Sequence, residues 1–320
     1  MFTMRFDMRL PPDGAASAAE LYEAALSMAE WGERHGCMAV QVSEHHGSPD
    51  GYLPAPLTLA TAMAARTRTL PIQVAALILP LHDPIELAEQ MAVLDILSEG
   101  RVSYVCAVGY RPEEYASFGR AMRQRGKRMD GCLTALREAF TGEDFEYEGR
   151  PVRVTPRPLT PGGPTLLLGG GSPAAVRRAA RFGLGMITQG GDPGLQKLYE
   201  EACVEAGTEP RLFVNPPAGS VLSAFVAEDP DAAWREMGPY LLHDAQMYAS
   251  WFARAGSQTA TQSAAASVEA LRSEQGSYRI FTPEEATAHV KSAGFLALQP
   301  LCGGLPPKLA WQSLELVASL

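Results

Sequence analysis

Residues 74–119 restrict the chain to few folds, because an apolar run, a helical repeat and a second apolar run follow one another with only short breaks. Residues 74–79, VAALIL, carry no polar side chain, as a parallel strand covered on both faces requires. Pro80 and Pro84 stop that strand and open a helix. On the helix Leu87, Met91 and Leu94 recur at helical spacing, opposite Glu86, Glu89 and Gln90. Ser98, Glu99 and Gly100 end it, and 101–108 reads as another short apolar strand, left by Gly109, Tyr110, Arg111, Pro112 and two glutamates. Strand, helix and strand in this order predict one βαβ unit, and parallel sheets carry their chemistry at such strand exits.

The same alternation runs along the chain. Residues 4–10 read as a first strand, followed by the turn chemistry of Pro11, Pro12, Asp13 and Gly14. A helix comes next, with Leu21, Ala25, Met28 and Trp31 on its apolar face and Gly36 to end it, before a strand over 38–42. Ser43, Glu44, His45 and His46 stand at that strand's exit, ahead of a polar loop over 47–56 and a helix over 57–65. After Phe140 the rhythm breaks, and 142–163 is expected to form a small hairpin with arms at 145–147 and 152–154. Strands then follow at 165–168, 184–188 and 220–227, with helices at 174–182, at 195–206 and from about Pro230. Residues 253–276, rich in Ala, Ser, Thr and Gln, are expected to be a mobile excursion. An eighth strand at 295–300 and a helix over 306–320 close the pattern. Eight strand–helix units predict an α/β fold, a (β/α)8 TIM barrel with insertion segments, as one domain over 1–320.

Composition removes several functions. A formal charge of −9 without a basic run argues against a nucleic-acid partner. The five cysteines are scattered, odd in number and without a CxxC pair, as expected of reduced thiols in a cytoplasmic protein. No apolar run reaches membrane-spanning length and the N-terminus does not read as a signal peptide, so neither a membrane partner nor export is expected.

Two stretches carry chemistry. Gly169, Gly170, Gly171 and Ser172, between a strand and a helix start, aim backbone N–H groups and a positive dipole end at an anion, with phosphate the natural occupant. A plain tight turn with Ser172 as N-cap is the competing reading, and the loop matches neither G-x-G-x-x-G nor the triphosphatase phosphate loop. Glu44, His45 and His46 place two imidazoles where acid–base work near neutral pH is feasible. Adjacent histidines on a strand face opposite ways and no HxxxH cluster exists, so no metal is expected. His82 and Asp83 suit a loop and helix cap, while His243 and His289 read as incidental. Without a G-x-S-x-G elbow, and with Cys106 inside an apolar strand, a nucleophilic hydrolase has little support.

SEHHG, RTRTLPIQVAALILPLHDPIELAEQMAVLDILSEGR, GYRPEEYASFG and GGGSPAAVRRAARFGLGMI together resemble the luciferase-like flavin monooxygenases, whose type member is the α subunit of bacterial luciferase. The likeness covers about residues 4–227 and is most specific over 43–119. It implies a (β/α)8 barrel holding reduced FMN, or in related branches an 8-hydroxy-5-deazaflavin coenzyme, at the C-terminal strand ends. By that resemblance His45 matches a histidine acting as acid or base, and Ala75 and Ala76 match a pair joined by a non-prolyl cis peptide beneath the flavin ring. Gly109, Tyr110, Gly169, Gly170, Gly171 and Ser172 are the other residues expected at the coenzyme, Ser172 matching a phosphate-binding serine and Gly171 standing where luciferase has a glutamate. Two positions depart from the pattern. The reactive cysteine falls on Ala107, with Cys106 one residue early, and a phosphate-contacting arginine falls on Val108. Phosphate charge is then left to backbone N–H groups, Ser172, and Arg111 or Arg177, while Tyr52, Tyr110 and residues 301–305 are candidate pocket walls. The implied function is oxygenation of a small organic substrate with reduced FMN and O2, the flavin supplied by a separate reductase, in a homodimer. A deazaflavin-dependent hydride-transferring oxidoreductase and a non-catalytic flavin-binding protein are the alternatives.

Overall fold

A computed structural model of the chain describes residues 1–12, 14–189, 191–255 and 263–320. It is an α/β fold whose contacts divide the chain into two compact units, residues 1–54 with 216–320 and residues 55–215, and within each unit the strand pairs of the larger sheet are parallel.

In the first unit the strand Phe2–Phe6 lies between Cys37–Val42 and Leu296–Leu298, and Ser223–Val226 lies between Leu296–Leu298 and Tyr278–Phe281. Met4, Phe6, Val40, Val42 and Phe225 are buried along these strands. The helix Ala18–Arg34 starts in a capping box, with the Glu20 amide donating to Ser17 Oγ at 3.3 Å and the Ser17 amide donating to Glu20 Oε2 at 2.8 Å. Its Leu21, Ala25 and Met28 are buried as the spacing predicted. The expected first strand is too long: it ends at Phe6, because Met8 takes φ +58 and turns the chain. Of the expected excursion at 253–276, residues 256–262 lie outside the described residues. The rest is more regular than composition implied, since the helix Pro230–Ala255 runs into it and Val268–Ser273 forms a second helix capped by Ser267.

In the second unit the strands run in the order Ile72–Ile78, Val102–Ala107, Thr165–Gly169, Gly185–Ile187 and Phe213–Val214. Asp83 starts the helix Pro84–Leu97 by accepting from the amides of Ile85 and Glu86, the capping role expected of it. The hairpin pairs Phe145–Tyr147 with Arg150–Val152, two residues earlier than expected for its second arm, because Glu148 and Gly149 alone form the turn, both at positive φ. The insertion is anchored by buried Asp95, which accepts from the Thr160 amide at 2.7 Å and the Thr160 hydroxyl at 2.8 Å. Among the described residues each unit thus has five parallel strands where the periodicity marked eight in the whole chain. The two unmarked strands are Phe213–Val214, too short to show a repeat, and Tyr278–Phe281, which follows the polar stretch 253–276. Among the described residues no helix is long and apolar enough to cross a membrane, no group of side chains is placed to hold a metal ion, and the five cysteines are free thiols.

Candidate active site

In the first unit the loop leaving Cys37–Val42 folds back on the segment that leaves Phe2–Phe6: the His45 amide donates to Leu53 O and the Leu53 amide to Asp7 O. This seats the His45 ring, 7% exposed, among aromatic neighbours. Its centroid lies 4.8 Å from Tyr52 in an edge-on arrangement, 4.7 Å from Trp251 and 6.5 Å from Tyr248. His46 takes a different partner, its Nε2 lying 2.9 Å from Glu44 Oε1. Both histidines lie on the loop beyond the strand Cys37–Val42, so strand alternation does not govern them.

Arg9 shares those rings. Its guanidinium carbon is 4.7 Å from the Tyr52 centroid, 4.8 Å from Tyr248 and 4.5 Å from Trp251, and its side chain reaches no solvent. Nε donates to Asp244 Oδ1 at 2.7 Å and Nη1 to Asp50 Oδ2 at 2.6 Å, with Asp7 Oδ2 at 3.5 Å from Nε. Asp244 also accepts from the Tyr278 hydroxyl at 2.7 Å, Asp7 from Gln299 Nε2 at 2.7 Å, and the Tyr52 and Tyr248 hydroxyls bond to each other at 2.9 Å. Arg5 donates to Gln299 Oε1. Burial of such charges is tolerable only because they pair. Burial, reinforced by Asp244 and opposed by Arg9 and Arg5, pushes the Asp7 carboxyl up to about 7. Burial would raise Asp50 as well, but its bond with His243 and the charge of Arg9 outweigh it and hold that carboxyl well below the usual range. Burial pushes the Tyr52 and Tyr278 phenols up.

One sequence reading needs correction here: His243 is not incidental, because its Nε2 lies 2.9 Å from Asp50 Oδ2. Of the candidate pocket walls, Tyr52 is buried beside Arg9 and the His45 ring. Within residues 301–305, Leu301, Cys302 and Leu305 are buried, and a Cβ on Gly303 would meet the Tyr240 carbonyl at 2.0 Å. Sequence reading also missed Asp7, Arg9, Asp50, Asp244, Tyr248 and Trp251. The available signal was Asp244, Tyr248 and Trp251 at successive spacings of four and three, one face of a helix.

In the second unit the Ala75–Ala76 peptide is cis, and Ala76 is the extra residue where the register with Val102–Ala107 shifts. Gly109 leaves the next strand at φ +71, and a Cβ there would lie 2.7 Å from Ile78 Cγ2. The Tyr115 hydroxyl donates to the Val108 carbonyl at 2.5 Å, holding that exit against Ile78 and Leu81. Tyr110 is half-buried, Ala107 and Val108 likewise, and Cys106 is fully buried. Arg111 is turned to Glu114, with Nη1 3.1 Å from Oε1, so the charge expected for a phosphate is already met by a carboxylate. Arg177 is exposed on its helix, while Arg178 and Arg181 both pair with Asp130.

The glycine loop follows the adjacent strand. Strand pairing sets Leu168 beside Cys106, and a Cβ on Gly169 would come within 3.3 Å of the Ala107 Cβ. Gly170 stands at φ +136, with its amide donating to the Ile187 carbonyl at 3.3 Å. Ser172 caps the helix Pro173–Arg181 by accepting from the Ala175 amide at 3.2 Å. The Gly171, Ser172 and Ala174 amides find no acceptor among the described residues, and these three residues are exposed. They are the donors a phosphate would meet at the positive end of this helix. The loop is therefore both a capped turn and a cradle chemically suited to an anion. His45 belongs to the first unit, whereas Ala75, Ala76, Gly109, Tyr110 and Gly169 to Ser172 belong to the second.

A family model described as luciferase-like monooxygenase matches residues 4–292. An uncharacterized protein of Mycobacterium tuberculosis is 36% identical over 157 residues, which are 45% of this chain and 54% of that protein. The alkanal monooxygenase beta chain of Vibrio harveyi is 26% identical over 204 residues, 60% of this chain and 63% of its own. The chain thus spans a little over half the length of these curated relatives. Among solved structures, a monooxygenase of Streptomyces bottropensis superposes with a TM-score of 0.76 at 25% identity, covering 100% of this chain and 98% of that one. The oxygenating constituent of 3,6-diketocamphane monooxygenase from Pseudomonas putida, in complex with FMN, gives 0.71 at 20% identity, covering 99% and 97%. An F420-dependent secondary alcohol dehydrogenase gives 0.62 at 14% identity, covering 97% and 98%.

Proposed function

The chain belongs to the luciferase-like monooxygenase family, and from that premise we propose that it is a flavin-dependent monooxygenase using reduced FMN and O2 to oxygenate a small organic substrate. The observation that carries this reading is the set of acceptor-free amides at Gly171, Ser172 and Ala174, which supply phosphate donors without any arginine. Reduced flavin, delivered by a separate reductase, supplies the oxygen chemistry when bound. The protein's own tasks are to hold the phosphate on those amides and the Ser172 hydroxyl, and to keep the coenzyme surroundings apolar with Ala75, Ala76, Gly109 and Tyr110. His45, packed against Tyr52 and Trp251, takes up or releases the proton at its imidazole. A homodimer through the helices Pro56–Arg66 and Pro84–Leu97 fits the exposure of Val93, Ile96 and Leu97.

The test is to mix purified protein with FMN or with the deazaflavin coenzyme, pass each mixture over a desalting column and record the absorbance retained. Retention of FMN, with oxygen uptake when FMN is reduced and candidate substrates are added, supports the reading. Retention of the deazaflavin alone turns it to hydride transfer. His45→Ala should retain FMN and lose turnover by about 10²- to 10⁴-fold, the usual contribution of a positioned acid or base. Full activity in that variant refutes the role given to His45.

A further inference from the structure

Arg9 has no place in the chemistry just described, yet it is among the largest side chains in the protein that are fully buried. It joins three segments. Asp7 follows the first strand, Asp50 and Tyr52 lie on the loop after His45, and Asp244, Tyr248 and Trp251 lie on the helix Pro230–Ala255. Two of those segments carry the rings that touch the His45 imidazole. Nη2 of Arg9 has no oxygen acceptor, and the guanidinium carbon lies within 5 Å of three ring centroids, so N–H groups left over from the carboxylates meet aromatic faces. We propose that Arg9 is a positioning residue for His45, its planar guanidinium fixing the Tyr52, Tyr248 and Trp251 rings on which the imidazole rests. This rests on the proton-transfer role assigned to His45 above, and Arg9 acts through the rings without contacting any ligand.

The geometry separates arginine from lysine. A planar fork reaches Asp50 and Asp244 at 2.6 and 2.7 Å while its central carbon stays within 5 Å of three ring centroids, whereas an ammonium on a flexible stem is a point charge. Arg9→Lys therefore keeps the charge and changes the shape. The groups facing this cluster are Asp7, Asp50, Asp244, Arg5, His243, the Cys302 thiol and the phenols of Tyr52, Tyr248 and Tyr278, so a charge-retaining substitution is the informative one.

The test uses the full-length protein without coenzyme. The imidazole C–H resonance of His45, assigned by its loss in His45→Ala, is followed by NMR through a pH titration in wild type, Arg9→Lys and Asp50→Asn. Arg9→Lys should displace that resonance and its midpoint while far-UV circular dichroism stays native, and Asp50→Asn, which removes the charged partner of Nη1, should displace it in a smaller degree. FMN affinity should change by less than about twofold, since the amides of the glycine loop are untouched. A folded Arg9→Lys with a wild-type His45 titration overturns the proposal. If Arg9→Lys does not fold, an unmoved His45 signal in Asp50→Asn overturns it equally. A protein that binds no flavin would refute the proposed function while leaving this titration readable, so the two failures are distinguishable.

Discussion

Replacing Asp7 with Asn should make the protein less stable in acid and more stable at neutral pH. Asp7, Asp50 and Asp244 share the buried cluster with the guanidiniums of Arg5 and Arg9, and Asp50 also meets the His243 imidazole. Of these carboxyls Asp7 is the one that burial and Asp244 push up, from 3.8 to about 7. Below pH ~4 both the folded and unfolded chains hold its proton, and the group costs no stability. As pH rises from 4 to 7 the unfolded chain loses the proton first, so stability falls across that window, by at most about 4 kcal/mol for a shift of this size. Asn cannot ionise and escapes the loss, but its NH2 must face one of the two donors, Gln299 Nε2 or the Arg9 amide, at a cost of about 1 kcal/mol. A net gain of about 1 to 3 kcal/mol is expected at pH 8 against a loss of about 1 kcal/mol at pH 4. Urea unfolding of both proteins at half-unit pH steps measures the difference directly, and contributions from Asp50 cancel in it. A difference that stays constant between pH 4 and 8 would mean that Asp7 is already ionised in the folded chain and that Arg9 outweighs burial, which refutes the reasoning.

Three further outcomes follow from named contacts. Ser172→Ala removes the cap on the Ala175 amide and a candidate phosphate donor, and should cost about 1 kcal/mol of stability and about tenfold in FMN affinity, with riboflavin binding unchanged in fluorescence titrations. Asp95→Ala leaves the Thr160 amide and hydroxyl without their acceptor, and should destabilise by about 2 to 3 kcal/mol in urea unfolding while speeding protease cleavage within 142–163. Leu97→Glu, at a position 55% exposed beside Val93 and Ile96, should shift sedimentation from dimer to monomer without altering circular dichroism.

The fold was legible wherever burial on both faces left an unbroken apolar run. Residues 74–79 and 101–108 overlap the strands observed at Ile72–Ile78 and Val102–Ala107, because apolar side chains fill most of both runs. Phe213–Val214 was not legible, since no period fits in a run of two residues. Met8 shows a different limit: an apolar side chain continues the strand pattern while its φ of +58 ends the strand, a property of the backbone that hydropathy does not encode. The candidate site divides the same way. Glycines and a serine at a helix start announce an anion site because the backbone itself is the ligand. The surroundings of His45 were hidden, because they come from residues more than two hundred positions apart, and an isolated Arg9 or Asp244 carries no local sign of its partner.

That division also says how variants should sort. In the second unit the candidate residues act mainly through backbone amides and the absence of side chains, as at Gly109, Gly169 and Gly170, so substitutions there should weaken coenzyme affinity with little effect on any titration. In the first unit the candidate residues are ionisable and held by one another, so substitutions should move pH profiles and stability together and spare coenzyme affinity. A variant of Arg9, Asp50 or Asp244 that weakened FMN binding as much as Ser172→Ala would break this separation. It would show that the buried ion cluster serves the coenzyme directly, and the role given to Arg9 would then pass from ordering His45 to recognising the flavin.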